Sequence, residues 1–340
     1  MGVVKERKGL TLYHISKMTT NSMELIEAWT PEQQVQELKR RMNYHEALRS
    51  DIVLHETPPF KPNQDDVIVA VPPKNGTTWL VHICHQIRMQ GQEPDFGTQL
   101  DVVAWIETAE TWFGKDPATQ QQPAKPRIFI THLPYPLVST GGRRIYCFRN
   151  QKDATISAYH FYNSILLLND RVSLSIFARA WLQKVEKRLK DLLLWWEHRH
   201  DDNLLLLFFD DLKEDHAGCV RRIANFMGVD CDERVIARVI HTTTYTEMAR
   251  HHSKFSSHNI ATIIAKKIGE TPPSESEFTS RVRKGGGKSG EGQQLLPLEV
   301  QQRINQLWQE IVTARLGFQN LEEMRETWKK EQLKSSSKQQ

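Results

Sequence analysis

A lysine lies inside a short turn, Pro72-Pro73-Lys74-Asn75-Gly76-Thr77-Thr78-Trp79, between an apolar run and a segment of helical periodicity. Glycine in such a turn lets the backbone approach a ligand closely. The amides and dipole of a helix's first turn attract an anion, the two threonines add hydroxyl donors, and Lys74 adds a point charge. This is phosphate-loop chemistry without the Walker A pattern, which needs a second glycine before the lysine. An ordinary strand–turn–helix with a threonine cap explains the turn but gives the lysine no role.

Two further segments place polar groups after apolar runs. Thr131-His132-Leu133-Pro134 sets a histidine, fixed by a following proline, where its near-neutral titration suits a general base. The chain has 14 histidines, so position rather than residue type carries that reading. Arg149-Asn150-Gln151-Lys152-Asp153 follows another run, with Ser157 eight residues after the arginine. An arginine and a serine so placed can hold a second phosphate, although a helix capped by Asp153 beside a surface arginine fits the segment equally well. The glycine-rich Arg283–Gly290 ends like a Walker A loop, but Val282 stands in place of its first glycine and no strand precedes it. It is rejected as a nucleotide-triphosphate loop and kept as a phosphate contact.

The elements that must hold these groups are short, buried-type strands at Val67–Val71, Ile128–Thr131, Ile145–Phe148 and Leu204–Phe209. Helical patterns follow at Thr77–Met89, Asp153–Ile165, Ile176–His198, Ala217–Met227 and Asp232–Ile240. Strands alternating with helices predict one α/β domain, with a mostly parallel central sheet flanked by helices. In such sheets ligands sit beyond the carboxyl ends of the strands, where the polar segments fall. The expected organisation is a partly helical N-terminal extension over 1–55, a main domain over 56–320 and a polar, disordered tail over 321–340. Within the domain, Ala249–Gly292 reads as a loop or lid and Pro297–Leu316 as a last amphipathic helix.

Composition narrows the classes. Hydrophobic residues make up 39% of the 340, which excludes a disordered chain. The net charge is +4 with acidic and basic residues interspersed, unlike the basic stripe of a nucleic-acid binder. The four cysteines form no CxxC pair and no metal-ligand spacing is present, so neither a disulfide framework nor a metal is expected. No run approaches the roughly 18 apolar residues of a membrane span and the N-terminus lacks a signal-peptide pattern. A soluble cytoplasmic protein without membrane or nucleic-acid partners is the expectation.

Together and in this order, these segments resemble the cytosolic sulfotransferase family, from about Phe60 to Phe318. Pro73–Trp79 is similar to that family's 5′-phosphosulfate loop, with Asn75 where serine is usual. Arg149–Ser157 resembles its 3′-phosphate motif, Phe208–Asp215 (FFDDLKED) its FYEDLKED segment, and Arg283-Lys284-Gly285 its late Arg-Lys-Gly. The resemblance implies transfer of a sulfonate from 3′-phosphoadenosine-5′-phosphosulfate (PAPS) to a hydroxyl or amine of a small acceptor, without a metal. His132 would be the base, and Lys74 would bind the 5′-phosphate and stabilise the leaving oxygen. The backbone of Asn75, Gly76, Thr77 and Thr78 would cradle the phosphosulfate. Trp79 would stack on adenine beside Phe209, Thr243 and Tyr245, and Arg149, Ser157, Arg283, Lys284 and Gly285 would hold the 3′-phosphate. Trp105, Tyr135 and Phe161 are the candidate acceptor-pocket rings, although core packing accounts for each equally well.

The sequence departs from the family pattern at Ile130, where lysine is usual two residues before the histidine, and at Phe209, where tyrosine is usual. The common C-terminal dimerisation pattern is absent, which leaves the oligomeric state open. Two other readings keep part of the evidence. A P-loop kinase of a nucleotide or small molecule shares the fold logic but needs a complete Walker A. A binder of PAPS or adenosine 3′,5′-bisphosphate (PAP), catalytically weakened at Ile130, needs only the phosphate contacts.

Overall fold

The computed structural model describes residues 29–47, 61–108, 116–274, 282–283 and 288–336. Its strands are β1 Val67–Ala70, β2 Ala104–Trp105, β3 Ile128–Thr131, β4 Arg143–Phe148 and β5 Leu204–Phe208, joined in one sheet of order β2-β3-β1-β4-β5. All four pairings are parallel. The helices are α1 Pro31–Ala47, α2 Thr77–Arg88, α3 Gln99–Val102, α4 Gln151–Ile165, α5 Leu174–Glu197, α6 Phe209–Glu214 and α7 His216–Met227. They continue with α8 Glu233–Thr242, α9 Tyr245–Arg250, α10 His258–Ile268, α11 Glu291–Leu295, α12 Leu298–Trp308 and α13 Leu321–Ser336. The architecture is therefore the expected α/β one, a parallel sheet flanked by helices.

The strands are apolar because both faces are covered. Val67, Ile68, Val69, Ile128, Phe129, Ile145 and Phe148 are fully buried, as a sheet packed on both sides requires. β2 escapes sequence reading because two residues paired to Phe129 and Ile130 carry no periodicity. The sheet order sets β3, β1, β4 and β5 side by side, so the residues after those four strands share one edge.

Three expectations need correction. The segment from residue 321 is the helix α13, not a disordered tail. Met324 is fully buried and Trp328 nearly so, and Arg325 pairs with Asp211 at 2.7 Å and with Glu214 and Glu322. The apolar stripe amounts to two residues one turn apart, too little to stand out. Ala249–Gly292 is not one open loop, because Phe255, Ile260 and Ile264 are buried and α10 lies within it. Asp153 does not cap α4. Asn150 does, accepting the Lys152 amide at 2.9 Å.

Helix α2, which presents the phosphate-type loop, carries two neutral buried histidines. His82 Nε2 donates to the Thr242 carbonyl at 3.2 Å, and burial holds its pKa down to about 4. His85 Nδ1 accepts from Arg88 at 2.9 Å. Burial first, then the Arg88 charge, brings its pKa to about 3. The unfolded chain takes up protons at both below about pH 6.5 while the fold does not, so stability falls as pH drops from 6.5 towards 4. Asp191 acts oppositely: burial raises its pKa to about 6, which offsets part of the loss below pH 6. His82→Gln keeps a donor for Thr242 and removes the titration. Its melting temperature should fall less steeply between pH 6.5 and 4 than that of the parent chain; equal slopes would dismiss His82 as a contributor.

Candidate active site

The loop after β1 is built to turn sharply. Lys74 and Gly76 both take positive φ, 71° and 103°. A side chain at Gly76 would bring its Cβ to 2.8 Å from the Phe209 ring, so only glycine suits this position. Asn75 is fully buried and its side chain fastens the turn. Nδ2 donates to the Pro72 and Pro73 carbonyls at 3.3 and 3.1 Å. Oδ1 accepts the Arg149 amide at 2.8 Å and Gln151 Nε2 at 3.1 Å. The Asn75 amide itself donates to the Pro72 carbonyl at 3.1 Å. Asn75 is thus the brace of the cradle, and the first-turn amides from Gly76 to Thr78 are left as its anion donors.

A cavity of about 350 Å³ opens over these strand ends. It brings together Lys74, Gly76, Thr77, Thr78, Trp79, Trp105, His132, Arg149, Ser157, Phe161, Phe209, Tyr245 and Arg283, most of the expected set. Thr77 Oγ1 and Arg149 Nε are buried without a hydrogen-bond partner among the described residues, as donors awaiting an anion would be. Lys74 Nζ sits 3.9 Å from the centre of the Phe161 ring, and the Arg149 guanidinium 4.3 Å from that of Phe209. Burial lowers the Arg149 pKa, while Asp153 and Asp210 work against that shift.

His132 meets the cavity from the end of β3. Its Nδ1 lies 2.5 Å from the Val71 carbonyl. A carbonyl only accepts, so Nδ1 carries the proton and Nε2 is the basic nitrogen. The His132 amide donates to Glu107 Oε1 at 2.6 Å and the Trp105 ring meets the imidazole edge-on at 5.1 Å. Trp79 packs against Phe209 and His216 and donates from Nε1 to the Thr243 carbonyl at 2.7 Å. Arg283 pairs with Glu291, its carbonyl accepts the Tyr245 hydroxyl at 3.0 Å, and the Asp153 carboxylate holds the Gly290 and Gly292 amides.

Two expected contacts lie elsewhere. Tyr135 stacks on His198 and meets Trp195 edge-on, away from the cavity. The Thr243 side chain is buried against the Val239 carbonyl and His216, so Thr243 meets the site only through the carbonyl that holds Trp79. Lys284 and Gly285 lie outside the described residues. Sequence reading missed His45, Gln99, Lys213, Met248, Ser257 and Ile260, all on the cavity wall. Lys213 lies within the Phe208–Asp215 motif without having been singled out there; the others come from scattered helices and turns with no motif to flag them.

Residues 64–328 match the sulfotransferase domain family. The chain is 27% identical to the amine sulfotransferase of Oryctolagus cuniculus over 279 residues, 79% of this chain and 87% of that one. It is 31% identical to sulfotransferase 2A2 of Rattus norvegicus over 180 residues, 50% and 61% of the two chains. Among solved structures, retinol dehydratase in complex with androsterone and inactive cofactor PAP superposes with a TM-score of 0.56 at 17% identity, covering 74% of this chain and 82% of that one. Mouse sulfotransferase SULT7A1 complexed with PAP gives 0.52 at 20% identity, covering 78% and 89%. At these identities the two structures speak to fold.

If Asn75 sets the spacing between loop and arginine, Asn75→Ala should weaken PAP binding about tenfold and lower stability by about 1–3 kcal/mol. Calorimetry and thermal unfolding measure the two effects, and unchanged affinity would reduce Asn75 to a core residue.

Proposed function

This chain belongs to the sulfotransferase family and is a PAPS-dependent sulfotransferase, and we propose from that premise how its residues divide the work on a small acceptor. PAPS supplies the sulfonate, which leaves its 5′-phosphate oxygen as the acceptor oxygen or nitrogen bonds to sulfur. Lys74 and the Thr77 and Thr78 donors hold the 5′ end and steady the charge on the leaving oxygen. Arg149 and Ser157, with Arg283 braced by Glu291, hold the 3′-phosphate. Trp79, fixed by its bond to the Thr243 carbonyl, offers its face to adenine beside Phe209 and Tyr245. His132 Nε2 takes the proton that the acceptor loses, and the Val71 carbonyl keeps the imidazole in the tautomer this requires.

The observation that carries this division is a pair of buried donors, Thr77 Oγ1 and Arg149 Nε, with no hydrogen-bond partner among the described residues. Both residues line one cavity from the ends of neighbouring strands, and Asn75 bonds the Arg149 amide to the loop. Two anion sites in fixed register suit a nucleotide phosphorylated at both ends. Position 130 favours a slow enzyme: Ile130 is nearly buried on the cavity wall and supplies no donor where the family usually has lysine.

His132→Ala should lower kcat by about 10²–10⁴ while PAP affinity by calorimetry stays nearly unchanged; equal loss of both would make His132 structural. Arg149→Ala should weaken PAP binding by about 1.5–3 kcal/mol, and an unaltered titration curve would remove it from the site.

A further inference from the structure

Ser257 stands at the N-cap of α10, where a serine hydroxyl ordinarily accepts from the first turn. It makes no such bond; Ser256 Oγ accepts the His258 amide instead, at 3.1 Å. The Ser257 side chain is 2% exposed, its hydroxyl has no partner among the described residues, and it lines the cavity. Gln99, 1% exposed on α3, lines the same cavity. Its Nε2 donates to the Thr78 carbonyl at 3.0 Å, which fixes the orientation of the amide. Gln99 Oε1 is buried with no partner among the described residues.

These two orphans complement each other. The amide oxygen only accepts, and the serine can donate. A hydroxyl on a ligand satisfies both, giving its proton to Gln99 Oε1 and accepting from Ser257 Oγ. A ketone would satisfy only the serine and an ammonium only the glutamine. The same cavity also carries the apolar Trp105, Ile130, Met248 and Ile260, and no aspartate or glutamate lines it among the described residues. Nothing there compensates the desolvation of a cationic amine. Isoleucine at 130 also withholds a charge that would attract an acidic acceptor.

We propose that the acceptor is a neutral, mainly apolar alcohol or phenol bearing a second hydroxyl away from the reacting one, and that Gln99 and Ser257 read that second group. This rests on the PAPS-dependent reading above. Tying the Gln99 side chain to Thr78 also couples recognition to the first turn of α2, so a correctly held acceptor is referenced to the loop that carries Lys74.

The test uses the full chain, labelled PAPS and three acceptors on one rigid apolar skeleton: a mono-alcohol, the corresponding diol and the hydroxy-ketone. The parent chain should prefer the diol about tenfold in kcat/KM over the mono-alcohol, mainly through KM, with the hydroxy-ketone between them. Ser257→Ala should reduce that preference to about twofold or less, and Gln99→Met should do the same. PAP affinity of Ser257→Ala, read by calorimetry, should stay within about twofold of the parent. Equal kcat/KM for diol and mono-alcohol in the parent chain would overturn the proposal, as would a Ser257→Ala loss shared equally by both acceptors. Failure of the underlying reading looks different: no PAP binding and no label on any of the three acceptors.

Discussion

A chain of hydrogen bonds crosses three neighbouring strand ends and fixes the site. His132 Nδ1 donates to the Val71 carbonyl, and the Val71 amide donates to Thr131. One residue on, the Pro72 and Pro73 carbonyls accept from the Asn75 side chain, whose other atom accepts the Arg149 amide. Strands in a sheet lie about 4.8 Å apart, so His132 and Arg149 flank the loop from positions about 10 Å apart. His132, the loop after β1 and Arg149 are therefore held in register by buried side-chain bonds to backbone atoms at the strand ends. The requirement falls hardest on Asn75, which must offer donors on one side and an acceptor on the other. A serine hydroxyl in its place could not reproduce that set of bonds with the same geometry.

Two cations of the site rest on aromatic faces. Lys74 rests on the face of Phe161 and Arg149 on the face of Phe209. An aromatic face holds a cation by about 0.5–2 kcal/mol, much less than a buried carboxylate would. Arg149 makes no ion pair among the described residues, and Asp153 and Asp210 influence it without touching it. Asp153 is instead occupied with the Gly290 and Gly292 amides, through which it anchors the start of α11. Under the proposed reading, a phosphate arriving at Arg149 thus displaces a weak partner. Arg283, by contrast, is paired with the Glu291 carboxylate, and exchange for an incoming anion there is correspondingly harder.

Much of this was legible before any coordinates. The strand runs are continuous and apolar because the sheet is covered on both faces, so they stood out. The polar residues after them fell at the carboxyl ends because parallel topology puts them there. What stayed hidden was whatever depends on side-chain direction across the chain. Tyr135 and Phe161 looked alike as aromatics near motifs, yet one packs edge-on against Trp195 of α5 and the other supports Lys74. Asn75 read as a phosphate contact, whereas its polar atoms point into the protein. Gln99 and Ser257 carried no signal at all, since a glutamine in a four-residue helix and a serine before a helix are ordinary until their missing bonds are seen.

Ile130 joins these threads. It occupies β3 beside Trp105 of β2, and with both rings and aliphatic groups facing the cavity the acceptor side is low in charge. A lysine there would supply a donor to the transferring group but would also add a further cation to a cavity already lined by Lys74, Arg149, Lys213 and Arg283. If that donor stabilises the developing charge, its absence costs rate by an amount comparable to the 10²–10³ that one oxyanion donor is worth. Under the proposed division of work, this leaves the leaving oxygen to Lys74 and the first turn of α2, and gives the acceptor side an apolar wall suited to an uncharged hydroxyl rather than an acidic one.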